Sequence, residues 1–163
     1  MNSAPEGIAT AMPASIADKV QSLGLTLPQP SSPAANYVST TRAGPLLFVA
    51  GQIDPAGAQG RLGDAVSVED GVNAARAAAL NVIAHIAKAT GDDLARVRQV
   101  AKLTVFIASA PDFTRQPLVA NGASDLMVAV FGDAGRHARS AVGAAALPRG
   151  AAVEVDAIVE LAE

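Results

Sequence analysis

The chain has 163 residues, of which 50% are hydrophobic and 3% aromatic, with no Cys and a formal net charge of −3. The lack of Cys excludes disulfide bonds, a thiol nucleophile and metal sites built from Cys. The acidic balance argues against nucleic acid as the main partner, and no stretch reaches the roughly 18 apolar residues of a membrane span. We therefore expect a cytoplasmic protein whose chemistry relies on Arg, Asp, Glu, Asn, Ser and water.

The N-terminal part predicts a leader followed by a short helix. Residues 1–14 are rich in Ala, Pro, Ser and Gly without a sustained period, which is typical of a mobile leader. A single domain is expected over 15–163. It begins with an added helix over 15–24, for which Ser15 is a plausible N-cap.

The middle of the chain predicts a hairpin, two long helices and a buried strand. Strands at 37–41 and 46–53 flank a turn containing Gly and Pro. A capping box then starts a helix over 67–89. The β-branched run 97–109 predicts a buried strand, and a second long helix follows over about 113–130.

The last two strands complete an α+β fold. Segments 140–145 and 152–161 are predicted to pair antiparallel across a short turn. Both long helices must bury an apolar stripe, so we expect a mixed sheet of five or six strands with the helices on one face. The other face mixes carboxylates with an aliphatic residue, and we expect another subunit to cover it. Its members on the last strand are Glu154, Asp156, Ile158 and Glu160.

Arg139 and Glu154 are the strongest candidates for chemistry. Arg139 begins a predicted strand beside small residues, so its guanidinium fork is accessible to a carboxylate, which it can bind through two hydrogen bonds. Antiparallel pairing of the last two strands would bring Glu154 into the same pocket. Each residue also has a simpler interpretation, as a solvated arginine at a strand end and as an edge-strand carboxylate that discourages aggregation.

Other polar residues give weaker indications. The run 121–125 consists mainly of poor helix formers inside a predicted helix, so either something other than local propensity favours it or it is an exposed polar face. His85 and His137 lack partners at metal-ligand spacing and are expected to be structural or solvated. Tyr37 is typical of a core or interface aromatic residue.

Over residues 36–161 the chain resembles the RidA family, also called the YjgF or L-PSP family. The first helix and the run 132–139 are similar to a bacterial subgroup with an N-terminal extension. The closing segments are the most specific. The matching segments are Tyr37-Val38, Val49-Ala50-Gly51-Gln52-Ile53, residues 100–107, Asn121, Ala138-Arg139-Ser140-Ala141-Val142, Leu147-Pro148 and Val153-Glu154-Val155-Asp156-Ala157.

The resemblance implies a chorismate-mutase-like α+β fold assembled as a homotrimer, with the sheets forming a central barrel and three clefts lying between subunits. In deaminase members, the arginine at the position of Arg139 binds the carboxylate of a 2-imino or enamine acid. The acid at the position of Glu154, with a nearby backbone carbonyl, holds the attacking water. Tyr37 and Asn121 match two further positions that line the pocket. No metal or other cofactor is expected, because the iminium carbon is already electrophilic.

Two positions differ from the pattern of the deaminase members, and the sequence leaves three candidate functions. Deaminase members usually have Ser at the position of Ala50 and often Cys at that of Ala141, and both residues are expected to contact the substrate.

The leading hypothesis is a 2-iminobutanoate/2-iminopropanoate deaminase-like hydrolase that releases 2-oxo acids and ammonia. A trimeric binding protein for small carboxylates is the alternative, which the two alanines favour. Ribonuclease or translation-inhibitor activity fits the acidic chain least.

Overall fold

The computed structural model describes residues 14–163. The predicted leader at 1–14 lies outside the described residues apart from Ala14. None of the helices within 14–163 is long and apolar enough to cross a membrane. In chain order the elements are α1 (Ile16–Ser22), β1 (Thr40–Ala43), β2 (Leu46–Ile53), α2 (Val68–Thr90), β3 (Val97–Ala108), α3 (Gln116–Phe131), β4 (Ala138–Ala144) and β5 (Val153–Leu161).

Local capping explains where α2 begins and ends. The hydroxyl oxygen of Ser67 accepts the Asp70 backbone N–H at 3.1 Å and its own proton goes to the Asp70 carboxylate at 2.9 Å. The predicted N-terminus of the helix is therefore confirmed, although the carboxylate accepts from the hydroxyl and not from the backbone of Ser67. Gly91 follows the last turn with φ +67°, the left-handed conformation that glycine adopts without a steric penalty.

The poor helix formers of α3 are explained by tertiary contacts. A Cβ atom at Gly122 would overlap the backbone carbonyl of Val72, so glycine allows α3 to approach α2 closely. Asn121 and Ser124 both contact Arg139. Packing and side-chain hydrogen bonds thus outweigh local propensity in this helix.

The five strands form one mixed sheet in the order β1-β2-β5-β3-β4. The α+β class with a five-stranded sheet is confirmed. The predicted antiparallel pairing of β4 with β5 is wrong, because β4 pairs parallel with β3, which lies between them. The helix α3 connects β3 to β4, and a helical crossover is the ordinary way to join parallel neighbours. The residues after β4 then cross the end of β3 to reach β5, which leaves β3 hydrogen-bonded on both edges.

Helices α2 and α3 pack against each other and against one face of the sheet, α2 on β2 and β5 and α3 on β3 and β4. The alternate residues of β5 that face them are buried, from Val153 to Leu161. The intervening residues, which include Glu154 and Asp156, lie on the other face and are half-buried. The first hairpin strand begins at Thr40, so Tyr37 precedes the sheet instead of lying within it as predicted.

Candidate functional site

Arg139 is held in place by acceptors from α3. Its Nη1 donates to Oδ1 of Asn121 at 2.9 Å and to Oγ of Ser124 at 3.1 Å, and its Nη2 donates to the carbonyl of Pro117 at 3.3 Å. A guanidinium group has five N–H donors. Three are therefore engaged within the described chain, and two remain for a ligand. We call Arg139 with these three partners the arginine half-site.

No carboxylate of residues 14–163 forms an ion pair with Arg139. The three acceptors are neutral, so the positive charge is oriented without being neutralised. An oriented cation with free N–H groups suits a carboxylate ligand, which takes two parallel hydrogen bonds. The arrangement can therefore bind an anionic group in a fixed orientation.

A second site lies toward the other edge of the sheet, in a cavity of about 610 Å³. We call it the glutamate pocket. Its walls come from the connector before β1, from β2, from α2 and from the turn before β5. The residues that line it include Ser31, Tyr37, Ala50, Gln52, Arg149 and Glu154.

An irregularity in β2 makes room for Glu154. Between Val49 and Gln52 the strand has one residue more than its partner β5, which is a β-bulge. A Cβ atom at Gly51, inside this bulge, would overlap the Glu154 carboxylate. Glycine therefore lets the carboxylate lie against the backbone of β2.

The environment of Glu154 favours its neutral form. Burial raises the pKa of the Glu154 carboxyl above its ordinary value, and the nearby Asp156 carboxylate raises it further. A carboxylate with a raised pKa is a better proton acceptor, so Glu154 is suited to general acid–base chemistry.

Buried polar groups support the wall of this pocket. Oε1 of Gln52 accepts the Ser31 hydroxyl at 3.0 Å, and Nε2 of Gln52 donates to the carbonyl of Ala50 at 3.1 Å. His85 on α2 is 3% exposed, with Nε2 3.4 Å from Oγ of Ser31. Burial, with a smaller contribution from Lys88, lowers the pKa of His85, so this histidine is a neutral structural residue.

Arg139 and Glu154 do not meet within one chain. Arg139 pairs with Leu103, which faces the helices, whereas Glu154 pairs with Phe106, which faces the opposite side. Paired residues in a sheet point to the same face. The predicted shared pocket within one chain is therefore wrong, since β3 separates the two strands and the two side chains lie on opposite faces.

The other predicted site residues divide between the two places. Tyr37 and Ala50 line the glutamate pocket, and Asn121 belongs to the arginine half-site. Ala141 lies on β4 next to Arg139 and packs against the core. No cluster of three or more His, Asp or Glu residues within 14–163 is placed to hold a metal ion.

Two contributors were not identified from the sequence. Ser124 and the carbonyl of Pro117 orient Arg139. Poor helix formers in a helical segment were the available signal for Ser124. A backbone carbonyl leaves no signal in the sequence.

Comparison with known proteins identifies the family. The model of the Endoribonuclease L-PSP family matches residues 28–161. Protein TCP17 of Trypanosoma cruzi is 53% identical over 151 residues, which cover 90% of this chain and 94% of that protein. The chain belongs to the L-PSP family, which includes the RidA proteins, as the resemblance predicted.

Solved structures agree with this assignment. Atu1372 of Agrobacterium tumefaciens, described as a protein of unknown function, is 44% identical with a TM-score of 0.83, and the match covers 90% of this chain and 92% of that one. TdcF of E. coli, solved with bound serine, is 27% identical with a TM-score of 0.55, covering 83% of this chain and 94% of that one. The L-PSP fold is thus shared by relatives with and without a described ligand.

Proposed function

We propose that this protein hydrolyses 2-imino acids and their enamine tautomers to 2-oxo acids and ammonia, in sites formed between the copies of a homotrimer. The observation that supports this most directly is the arginine half-site. Arg139 is oriented by three neutral acceptors and keeps two N–H donors for a substrate carboxylate.

Glu154 supplies the second element of the chemistry. A water molecule bonds to C2 of the protonated imine while the Glu154 carboxylate takes one of its protons, giving a neutral carbinolamine. Glu154 then returns that proton to the nitrogen, and its carboxylate takes the proton of the carbinolamine hydroxyl as the C=O bond forms and the C–N bond breaks. Ammonia and the 2-oxo acid leave, and the proton on Glu154 passes to water. Taking up a proton from water is easier for a carboxylate whose pKa lies above its ordinary value, which fits the raised pKa of Glu154.

The separation of the two residues supports an intersubunit site. Each chain carries one arginine half-site near β4 and one glutamate pocket toward the other edge of the sheet, so a second copy must supply the missing half. An interface between two different surfaces of one chain closes into a ring when its rotation permits. Three such interfaces would give three complete sites.

Exposed apolar residues near both half-sites support the same assembly. Tyr37 is 48% exposed and Val38 65%, and they lie at and beside the glutamate pocket. Leu118 is 50% exposed and lies next to Pro117, while Val142 on β4 is 43% exposed. Apolar surface of this kind is typical of protein interfaces. Light scattering at low micromolar concentration is therefore expected to give three times the 16.3 kDa chain mass, and a monomer would contradict the proposed site.

A small amino-acid-like substrate fits the comparison with TdcF, whose structure holds serine. Serine has the carboxylate and the nitrogen on C2 that a 2-imino acid also has. The decisive assay generates 2-iminobutanoate in situ with a threonine dehydratase and measures ammonia release with and without the protein. Release above the uncatalysed rate is expected.

A small-carboxylate binding protein is the second candidate. It is favoured by Ala50 and Ala141, which stand where deaminase members usually have Ser and often have Cys. The two functions are distinguished by measuring binding of 2-oxobutanoate together with ammonia release. Binding that depends on Arg139, without any acceleration of ammonia release, would replace the deaminase by the binding protein.

A further inference from the structure

We infer that His137 is a positioning residue that acts through Ser124 to orient Arg139 toward the substrate carboxylate. The inference rests on the proposed function for the identity of the ligand. The hydrogen bonds that carry it are properties of the chain itself.

The direction of each hydrogen bond follows from the chemistry of its partners. Nδ1 of His137 lies 2.6 Å from the carbonyl of Gly135, and a carbonyl can only accept, so Nδ1 carries the proton. In the neutral imidazole Nε2 is then an acceptor. Oγ of Ser124 lies 2.9 Å from Nε2 and therefore donates its proton to it.

The orientation of the Ser124 hydroxyl determines what it offers to Arg139. With its only proton directed to His137, Ser124 presents oxygen lone pairs to Nη1 of Arg139 at 3.1 Å. A serine inside a helix otherwise tends to donate to a carbonyl of the preceding turn. His137 thus fixes Ser124 as an acceptor, and Ser124 together with Asn121 engages both protons of Nη1.

We call the hydrogen bonds from Gly135 through His137 and Ser124 to Arg139 the relay. Its first acceptor, the Gly135 carbonyl, is held in place by backbone packing. A Cβ atom at Gly135 would overlap the carbonyl of Met127, so the turn before β4 packs directly on the end of α3. The Gly135 carbonyl is therefore fixed relative to the same helix that carries Ser124. The path from Gly135 through His137 and Ser124 leaves the guanidinium little freedom to rotate, which lowers the entropy lost when a carboxylate binds.

Two substitutions at His137 test separately the hydrogen bond made by Nδ1 and the one made by Nε2. In His137→Asn the amide can still reach the Gly135 carbonyl but is too short to reach Ser124. In His137→Gln the longer side chain can place its amide oxygen near the position of Nε2 and accept from Ser124. We expect the Asn variant to bind 2-oxobutanoate about tenfold more weakly, the effect of one ordinary hydrogen bond, and the Gln variant to bind it within about threefold of wild type.

Kinetics and a double substitution test whether the effect passes through Arg139. Because Arg139 holds the carboxylate in the ground state and the transition state alike, His137→Asn should raise KM with little change in kcat, whereas partial unfolding would lower the active fraction. Ser124→Ala should have a similar effect, and the double variant should be no worse than either single variant, since the residues act in series. Ser22→Ala, which removes another helix hydroxyl, is the matched control and should behave as wild type.

Nitrogen NMR of the unliganded wild-type protein tests the relay without any ligand. At a pH where the imidazole is neutral, the spectrum should show His137 protonated on Nδ1 with an unprotonated Nε2 whose shift changes in Ser124→Ala. A neutral His137 protonated on Nε2, or equal affinities of the Asn variant and wild type, would overturn the inference. If the NMR and binding results are as expected but the wild-type protein releases no ammonia above the uncatalysed rate, only the deaminase function is refuted.

Discussion

The arginine half-site and the glutamate pocket differ in how completely one chain builds them. Arg139 has three hydrogen-bond partners from a single helix and stands ready for a ligand. The glutamate pocket is open, with Tyr37 half-exposed at its wall. Burial raises the pKa of its Glu154 carboxyl, and the Asp156 carboxylate raises it further. Within residues 14–163, neither Arg139 nor Glu154 forms an ion pair.

The difference between the two sites matches the different requirements of anion binding and of proton transfer. Binding a small anion requires a fixed cation, whereas proton transfer requires a carboxyl that is not neutralised by an arginine in the same chain. If Arg139 lay beside Glu154 in the free chain, an ion pair would lower the pKa of Glu154 and weaken it as a base. Within one chain, the strand order and the opposite faces of the sheet keep the two groups apart.

The largest expected effect comes from removing the cation. Arg139→Lys keeps the charge and loses the two-pronged geometry, and Arg139→Ala loses both, so activity should fall in that order. A buried charged partner is worth about 2–5 kcal/mol, which corresponds to roughly 30-fold to several thousand-fold in kcat/KM for the alanine variant. The loss should be seen with every 2-imino acid tested, and a loss with one substrate alone would argue against a role on the common carboxylate.

Glu154→Gln should lower turnover much more than it lowers ligand binding. The amide keeps the size of the side chain and cannot take a proton, so turnover should fall by at least about a hundredfold. Binding of 2-oxobutanoate through Arg139 should stay within a few-fold of wild type. An equal loss of binding and turnover would mean that Glu154 helps to hold the ligand.

A smaller effect is expected from Gly51→Ala. The added Cβ would overlap the Glu154 carboxylate and push it from its place against β2. Turnover should fall by up to about a hundredfold, the scale of a catalytic group misplaced by about 1 Å. The affinity for 2-oxobutanoate serves as the internal control, because the contacts that α3 makes with Arg139 do not involve Gly51. Unchanged turnover would show that the position of the carboxylate in the unliganded chain does not matter.

The positions of the helices and strands were predicted better from the sequence than the order of the strands in the sheet. Capping at Ser67 and the β-branched run of β3 are local signals, and the elements lie close to the predicted positions. Strand order depends on long-range pairing, so a short connection between β4 and β5 suggested a hairpin that does not form. The helix between β3 and β4 was the overlooked signal, because a helical crossover joins parallel strands.

The candidate site was predictable to a similar degree. Arg139, Asn121 and Glu154 could be named from the family resemblance, and the structure places each in one of two polar sites. Their assignment to different half-sites followed from strand order and was missed. Ser124 could be suspected only as a poor helix former, since its partners are brought to it by tertiary packing.

The smallest effect concerns stability. Because folding raises the pKa of Glu154, the unfolded chain loses this proton more readily, and ionisation of the carboxyl opposes folding. Glu154→Gln should therefore melt slightly above wild type at pH 8. The difference should shrink as the pH falls through the raised pKa, because both side chains are then neutral. A gap that widens on acidification would contradict the environment described for Glu154.

Mixing two inactive variants tests the central claim most directly. Arg139→Ala and Glu154→Gln chains are unfolded together, refolded at equal concentration and assayed for ammonia release. If each site takes Arg139 from one copy and Glu154 from the next, about a quarter of the sites receive both native residues, and about a quarter of the wild-type activity should return. If the two residues act within one chain, no mixed assembly contains a complete site, and activity that stays at the level of the separate variants would contradict the account.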